Sequence, residues 1–248
     1  MKTIIIIVIS LNLANESIAQ EMNLAKADSL KLLVVTGGPS LRAQIDLVPT
    51  SFYSLFSDFD NLTWDHATHD EAGFQSESFD SYDVVLMYNR SDSISDRSKQ
   101  KLKKHLESGK GLIVLHHALG SYNNWEWWWK EVVGGKYQMV ENTKFKKSAF
   151  KPSETIDVIT KKNHPITREI GDFKLYDETY INLWLSDDIE VIYQTDNPTS
   201  DGPLVWISPY KKSRVVAIQP GHAKSAHQDM NYKKLIYQAI QWVNNKEE

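Results

Sequence analysis

Two adjacent histidines, His116 and His117, follow directly on the apolar run Gly111-Leu112-Ile113-Val114-Leu115. An unperturbed imidazole titrates near about 6.5, so a histidine at a strand end is chemically suited to general acid or base work. Successive residues leaving a strand point to opposite sides, which predicts that one of the pair faces a ligand. His117 is the catalytic candidate, and His116 is a substrate contact or a structural neighbour. His222, just after Gly221 and the apolar run Val215–Ile218, is a second catalytic candidate. The segment Asp177-Glu178-Thr179-Tyr180 supplies carboxylates. Glu178 suits a base or a group that orients a histidine, with Asp177 and Tyr180 as substrate contacts. Taken alone, that acidic pair reads as an exposed turn. Asn89 and Arg90 follow a third apolar run and Gln219 ends a fourth, so all three join the substrate-binding candidates. Trp125 and Trp127 belong to a dense run of tryptophans and offer aromatic faces on which a sugar ring can stack.

Several other chemistries lack their residues. The chain has no cysteine, which removes thiol nucleophiles, thiolate metal sites and disulfides. There is no G-x-S-x-G elbow, and Ser121 in Leu119-Gly120-Ser121 is a poor substitute. Neither G-x-G-x-x-G nor a P-loop occurs, so nucleotide cofactors have no support. A two-carboxylate glycosidase lacks a convincing second carboxylate. Histidine with carboxylate does permit a divalent metal site. Neither H-x-x-x-H nor H-E-x-x-H is present, however, and His66-Ala67-Thr68-His69 falls in a predicted loop. No residue is assigned as a metal ligand and no cofactor is assigned, with a divalent metal left open.

The elements that must position these groups read as α/β. Leu32–Thr36, Tyr82–Tyr88 and Gly111–Leu115 are short, continuously apolar strands, with another at Asn61–His66. Helices are predicted near residues 47–57 and from a Ser95 cap to Glu107, the second stopped by Gly109. Alternating short apolar strands and helices predict a mostly parallel, flavodoxin-like sheet flanked by helices on both faces. Ligands in such sheets bind at the carboxyl ends of strands, where the polar residues above stand. Further strands are expected at Phe145–Thr160, Val191–Thr195, Leu204–Ile207 and Val215–Gln219, with a turn at Lys211-Lys212-Ser213. A closing helix is expected over Asn231–Asn244.

At the amino end, Lys2, the apolar stretch Ile4 to Leu13 and the small residues around Ser17-Ile18-Ala19 make a secretory leader, with cleavage expected before Gln20. A spanning helix needs roughly 20 apolar residues, about twice this run. Residues 1–19 are therefore read as a signal peptide, and 20–248 as one domain with an inserted loop-and-strand region at about 121–187. The product is expected in the periplasm or outside the cell, with no membrane attachment after the leader is removed. The net charge of −4 carries no basic footprint for nucleic acid. The expected partner is a small-molecule sugar, and a homo-oligomer stays open.

Thr36-Gly37-Gly38, Tyr82-Asp83-Val84-Val85, Gly111 to Ala118 and Gly134-Gly135-Lys136-Tyr137 occur in an order that resembles ThuA-like proteins. Asn163-His164-Pro165-Ile166-Thr167, Asp177 to Tyr180, Ser200-Asp201-Gly202-Pro203 and Gly221-His222 extend the resemblance over nearly the whole chain after the leader. It implies a fold similar to class I glutamine amidotransferases, and a link to trehalose and related disaccharides, including keto-sugars made by a partner oxidoreductase. Amidotransferase activity does not carry over, because the cysteine nucleophile is missing. Pro39 stands where such proteins often have a histidine, which puts a role for the first loop in doubt. The expected function is a sugar-processing lyase, hydrolase or isomerase working by histidine and carboxylate chemistry. The alternative is a sugar-binding or protein-interaction module using the same pocket.

Overall fold

The structure, a computed structural model, describes residues 29–38, 52, 54–57, 59 and 61–245. The proposed leader, Pro39 and most of the helix expected at 47–57 lie outside them. Of that helix, Phe52 and residues 54–56 are described and are helical.

In chain order the strands are β1 (Leu30–Val35), β2 (Leu62–Ala67), β3 (Val84–Met87), β4 (Gly111–Leu115), β5 (Gly135–Lys136), β6 (Ala149–Thr160), β7 (Phe173–Ile181), β8 (Trp184–Leu185), β9 (Glu190–Gln194), β10 (Pro203–Ile207) and β11 (Val215–Ile218). The helices are α1 (Asp70–Phe74), α2 (Asp96–Glu107), α3 (Lys224–Gln228) and α4 (Met230–Asn244). Nine strands form one sheet in the order β2-β1-β3-β4-β11-β10-β9-β6-β7. The first five run parallel, in the flavodoxin-like order.

Every residue of β3, β4 and β11 is buried, as continuous apolar strands covered on both faces should be. Leu32, Val34, Leu86, Ile113 and Leu115 face one way, onto Leu235, Ile236, Ala239, Ile240 and Val243 of α4. The alternate residues Leu33, Val35, Val85, Met87 and Val114 face Phe74 of α1, Leu102 and Leu106 of α2, and Trp128. This alternation with period two is what turns one apolar run into two cores.

The expectation of a mostly parallel sheet needs correction. β10, β9, β6 and β7 continue it with antiparallel pairings throughout. The connections explain this, because a short turn such as that through Lys211-Lys212-Ser213 between β10 and β11 can join only antiparallel neighbours. Within the region 121–187, β6 and β7 pair as a hairpin on the main sheet, while β5 and β8 form a small separate ladder. The tryptophan run lies on a π-helical segment, Trp127–Val133, whose wider turn buries Trp128, Val132 and Val133 together. Among the described residues no helix is long and apolar enough to cross a membrane.

Candidate active site

The parallel strands end their carboxyl sides on a polar cluster built from three distant segments. His116 leaves β4 with φ of 48°, a left-handed conformation rare for a residue with a side chain. This strained strand-to-turn step has the form of a nucleophile elbow, with an imidazole where such elbows carry their reactive group. Because the backbone turns over at His116, the usual strand alternation fails. His116 and His117 both join the cluster, with ring centroids 4.3 Å apart, and His222 lies 5.3 Å from each.

His116 is fully buried and its Nδ1 donates to the Gln219 carbonyl at 2.7 Å. That fixes the ring and points Nε2 inward, where Glu178 Oε1 lies at 3.0 Å, the Tyr180 hydroxyl at 2.9 Å and His222 Nδ1 at 3.3 Å. Glu178 Oε2 is 3.6 Å from His222 Nδ1. Burial alone would raise the Glu178 carboxyl, but the His116 hydrogen bond, and the charge of His116 and His222 when those rings are protonated, hold it below its ordinary value. The Tyr180 hydroxyl is pushed far up by burial and the Glu178 charge, so it remains a neutral donor. Burial lowers His117 well below its ordinary value, reinforced by His116, His222 and Arg90. His222 is lowered too, by burial and then by His116, against the pull of Glu178 and Asp177. At neutral pH the site therefore sets neutral imidazoles at His117 and His222 against an ionised carboxylate.

Asp177 has a different task. Its carboxylate accepts the backbone N–H of Gly221 (2.5 Å), His222 (3.1 Å) and Ala223 (2.9 Å), clamping the loop that carries His222 to β7. Asp177 and Glu178 are both buried, so the exposed acidic turn expected from sequence is not what forms. Gly221 has φ of 140°, and a Cβ there would lie 2.5 Å from the Tyr232 hydroxyl. Its carbonyl accepts from the Tyr88 hydroxyl at 2.9 Å and lies 2.8 Å from His227 Nε2. Gln219 is buried and donates through Nε2 to the Glu178 carbonyl, which makes it a brace between β11 and β7.

The other sequence candidates divide. Arg90 carries an ion pair to Asp92 at 2.8 Å, and its charge acts on both His117 and Tyr137. Asn89 turns the other way, into a second buried polar group, donating to Asp70 at 2.6 Å and lying 3.1 Å from the Tyr122 hydroxyl. Trp125 and Trp127 pack on each other and on Tyr122, Trp128 and Tyr210, with Lys103 over both rings. Among the described residues their ring contacts are with these aromatics and with lysines of α2, and none is with the histidines. His66 and His69 do not share a loop. His66 is in β2 and lies 2.7 Å from the Thr36 hydroxyl, while His69 caps α1 by accepting from Ala72 N.

Sequence reading passed over Tyr88 and Tyr137. Tyr88 supports Gly221 and packs edge-on to His117, and Tyr137 packs edge-on to Tyr180 at 4.9 Å. Just after β3 the tyrosine reads as one more residue of the apolar run. Its polar partner lies more than a hundred residues away, beyond any local signal.

The fold is similar to that of a ThuA-like protein from Parabacteroides merdae, with a TM-score of 0.70 at 17% identity over 89% of this chain and 92% of that one. A ThuA-like protein from Bacteroides uniformis superposes at 0.68 with 21% identity, covering 88% and 93%. A β-galactosidase from Bacillus circulans matches at 0.58 with 10% identity over 86% of this chain but only 31% of its own, a likeness of fold alone. No curated protein matches the chain in sequence. The profile of the ThuA family, described as trehalose utilisation, matches residues 31–243. Since that match spans the sheet, both cores and all three segments of the histidine cluster, the chain belongs to the ThuA family.

Proposed function

We propose that this protein is an exported enzyme of disaccharide breakdown that acts on a keto-sugar by proton abstraction next to the keto carbon. The observation that carries this reading is the buried Glu178 carboxylate set against two imidazoles, Oε1 at 3.0 Å from His116 Nε2 and Oε2 at 3.6 Å from His222 Nδ1. An ionised carboxylate beside neutral donors is the arrangement that base-initiated enolisation needs. The family's description supplies the sugar class.

In this reading Glu178 takes the proton from the carbon beside the ketone, the C–H electron pair forms a carbon–carbon double bond, and the carbonyl π pair moves onto the ketone oxygen. His117 and His222, with Arg90, donate to that developing negative charge. Neutral imidazoles serve well there, because their proton is not lost to solvent at working pH. Return of the proton to either carbon gives isomerisation or exchange. Collapse of the enolate re-forms the ketone and expels the glycosidic oxygen, which takes up the proton that Glu178 abstracted; this elimination leaves a carbon–carbon double bond and cleaves the disaccharide. Tyr180 holds the inner edge of the site as a neutral donor, and Asp177 keeps His222 in place.

A second reading, sugar binding without turnover, uses the same pocket and predicts binding with no product. Incubation with trehalose and 3-keto-trehalose, followed by mass spectrometry, separates the two. The enzyme reading expects turnover of the keto-sugar, lost by at least about 100-fold in His117→Ala or Glu178→Gln with the fold retained. Keto-sugar binding without turnover in the wild-type protein would establish the binding module instead. Export rests on the leader-like residues 1–19, and a mature chain starting at Gln20 would verify it.

A further inference from the structure

We propose that His116, His117 and His222 together bind one divalent transition-metal ion of the zinc class, with Glu178 alongside as the carboxylate facing its open position. The argument starts from an excess of partners. With its Nδ1 proton committed to the Gln219 carbonyl at 2.7 Å, His116 has one inward nitrogen, Nε2. Three polar groups crowd it: Glu178 Oε1 at 3.0 Å, the Tyr180 hydroxyl at 2.9 Å and His222 Nδ1 at 3.3 Å. One imidazole nitrogen, holding either a proton or a lone pair, satisfies one of these well. A cation lying among them satisfies the imidazoles and the carboxylate at once.

The spacings fit. Nitrogen ligands about 2.0–2.1 Å from a tetrahedral ion stand about 3.3–3.4 Å apart. His116 Nε2 and His222 Nδ1 are 3.3 Å apart, and one ligand atom from each of the three histidines falls within 4.8 Å of the others. Three histidines leave a fourth position open, as catalytic rather than structural sites do.

The surroundings are also those of a metal site. The carbonyl bond to Nδ1 fixes the His116 tautomer and orients its lone pair, the usual outer partner of a metal-bound imidazole. Asp177 clamps the His222 loop through three backbone N–H groups, so two of the three imidazoles are positioned before any ion arrives. The ion would polarise a ketone oxygen, reinforcing the electrophilic side of the site and leaving the proton to Glu178. Metal binding itself is independent of which sugar is used, so either proposal can fail while the other stands.

The test uses the mature full-length chain, stripped with chelator and dialysed, then titrated with ZnCl2 by calorimetry and with CoCl2 by visible absorption. The wild-type protein is expected to take up one equivalent of Zn2+, to give the intense absorption of four-coordinate Co2+, and to melt at a higher temperature with Zn2+. His222→Ala changes a partly exposed side chain and should fold; it is expected to bind at least about tenfold more weakly and to lose the Co2+ band. His116→Gln and His117→Ala should behave alike, whereas His69→Ala, at the α1 cap, should bind as wild type. Absence of stoichiometric uptake by the wild-type chain would overturn the proposal. So would uptake unchanged in His222→Ala and His116→Gln.

Discussion

Asp177 shows how a residue can be indispensable to a site without touching a substrate. It accepts three backbone N–H groups from the loop bearing His222, and among the described residues no other carboxylate meets those donors. Asp177→Ala leaves these donors unmet in a largely buried setting. Hydrogen bonds to a charged group contribute about 1.5–3 kcal/mol each, so the expected loss is about 3 kcal/mol or more. Urea denaturation measures it, and Asp177→Asn, which keeps an acceptor oxygen, should lose clearly less. Equal losses in the two variants would show that the clamp matters little. At this scale the sequence made the residue types legible: His117, Glu178 and His222 stood out because each follows an apolar run or sits in a compact polar motif. The centrality of His116 did not, because a single left-handed φ cancelled the alternation on which the choice between the two histidines rested. Nor did the burial of Asp177 and Glu178, which depends on partners about forty to sixty residues away.

Among the elements, α2 was the most legible. The Ser95 cap, the Leu102 and Leu106 pair and the Gly109 stop all lie where local chemistry places them. It also carries a pH-dependent contribution to stability. His105 is buried on its inner face, its Nε2 hydrogen-bonding the Gly111 carbonyl at 3.2 Å, and burial depresses it to about 4 from 6.5. The unfolded chain therefore binds the proton first as pH falls. The stabilising difference is fully present above about 6.5 and is lost as pH falls towards about 4, by up to about 3 kcal/mol. Denaturant midpoints for wild type should fall across that window more steeply than those of His105→Gln. Parallel curves for the two would contradict the assignment. The tryptophan segment was less legible, because the π-helical turn that buries Trp128, Val132 and Val133 has no sequence period of its own. Trp125 and Trp127 looked like a sugar platform, yet their rings are taken up by neighbouring aromatics and lysines.

For the whole molecule, the five parallel strands and their two cores were readable from short apolar runs, since burial on both faces leaves few polar positions to mask the pattern. The antiparallel half was readable only as separate strands. Its pairing partners are set by hairpins and by long-range register, which no local window contains. That half nevertheless delivers Asp177 and Glu178 to the histidines, so the site exists only when β4, β7 and the loop after β11 are assembled in one sheet. The central claim is that this assembly removes a proton beside a ketone, and its most direct test is exchange. Wild-type protein incubated with 3-keto-trehalose in D2O should place deuterium on the carbon adjacent to the keto group, seen by NMR, while Glu178→Gln should slow this by at least about 100-fold. A keto-sugar that binds the wild-type protein yet gains no deuterium and yields no product would contradict the account.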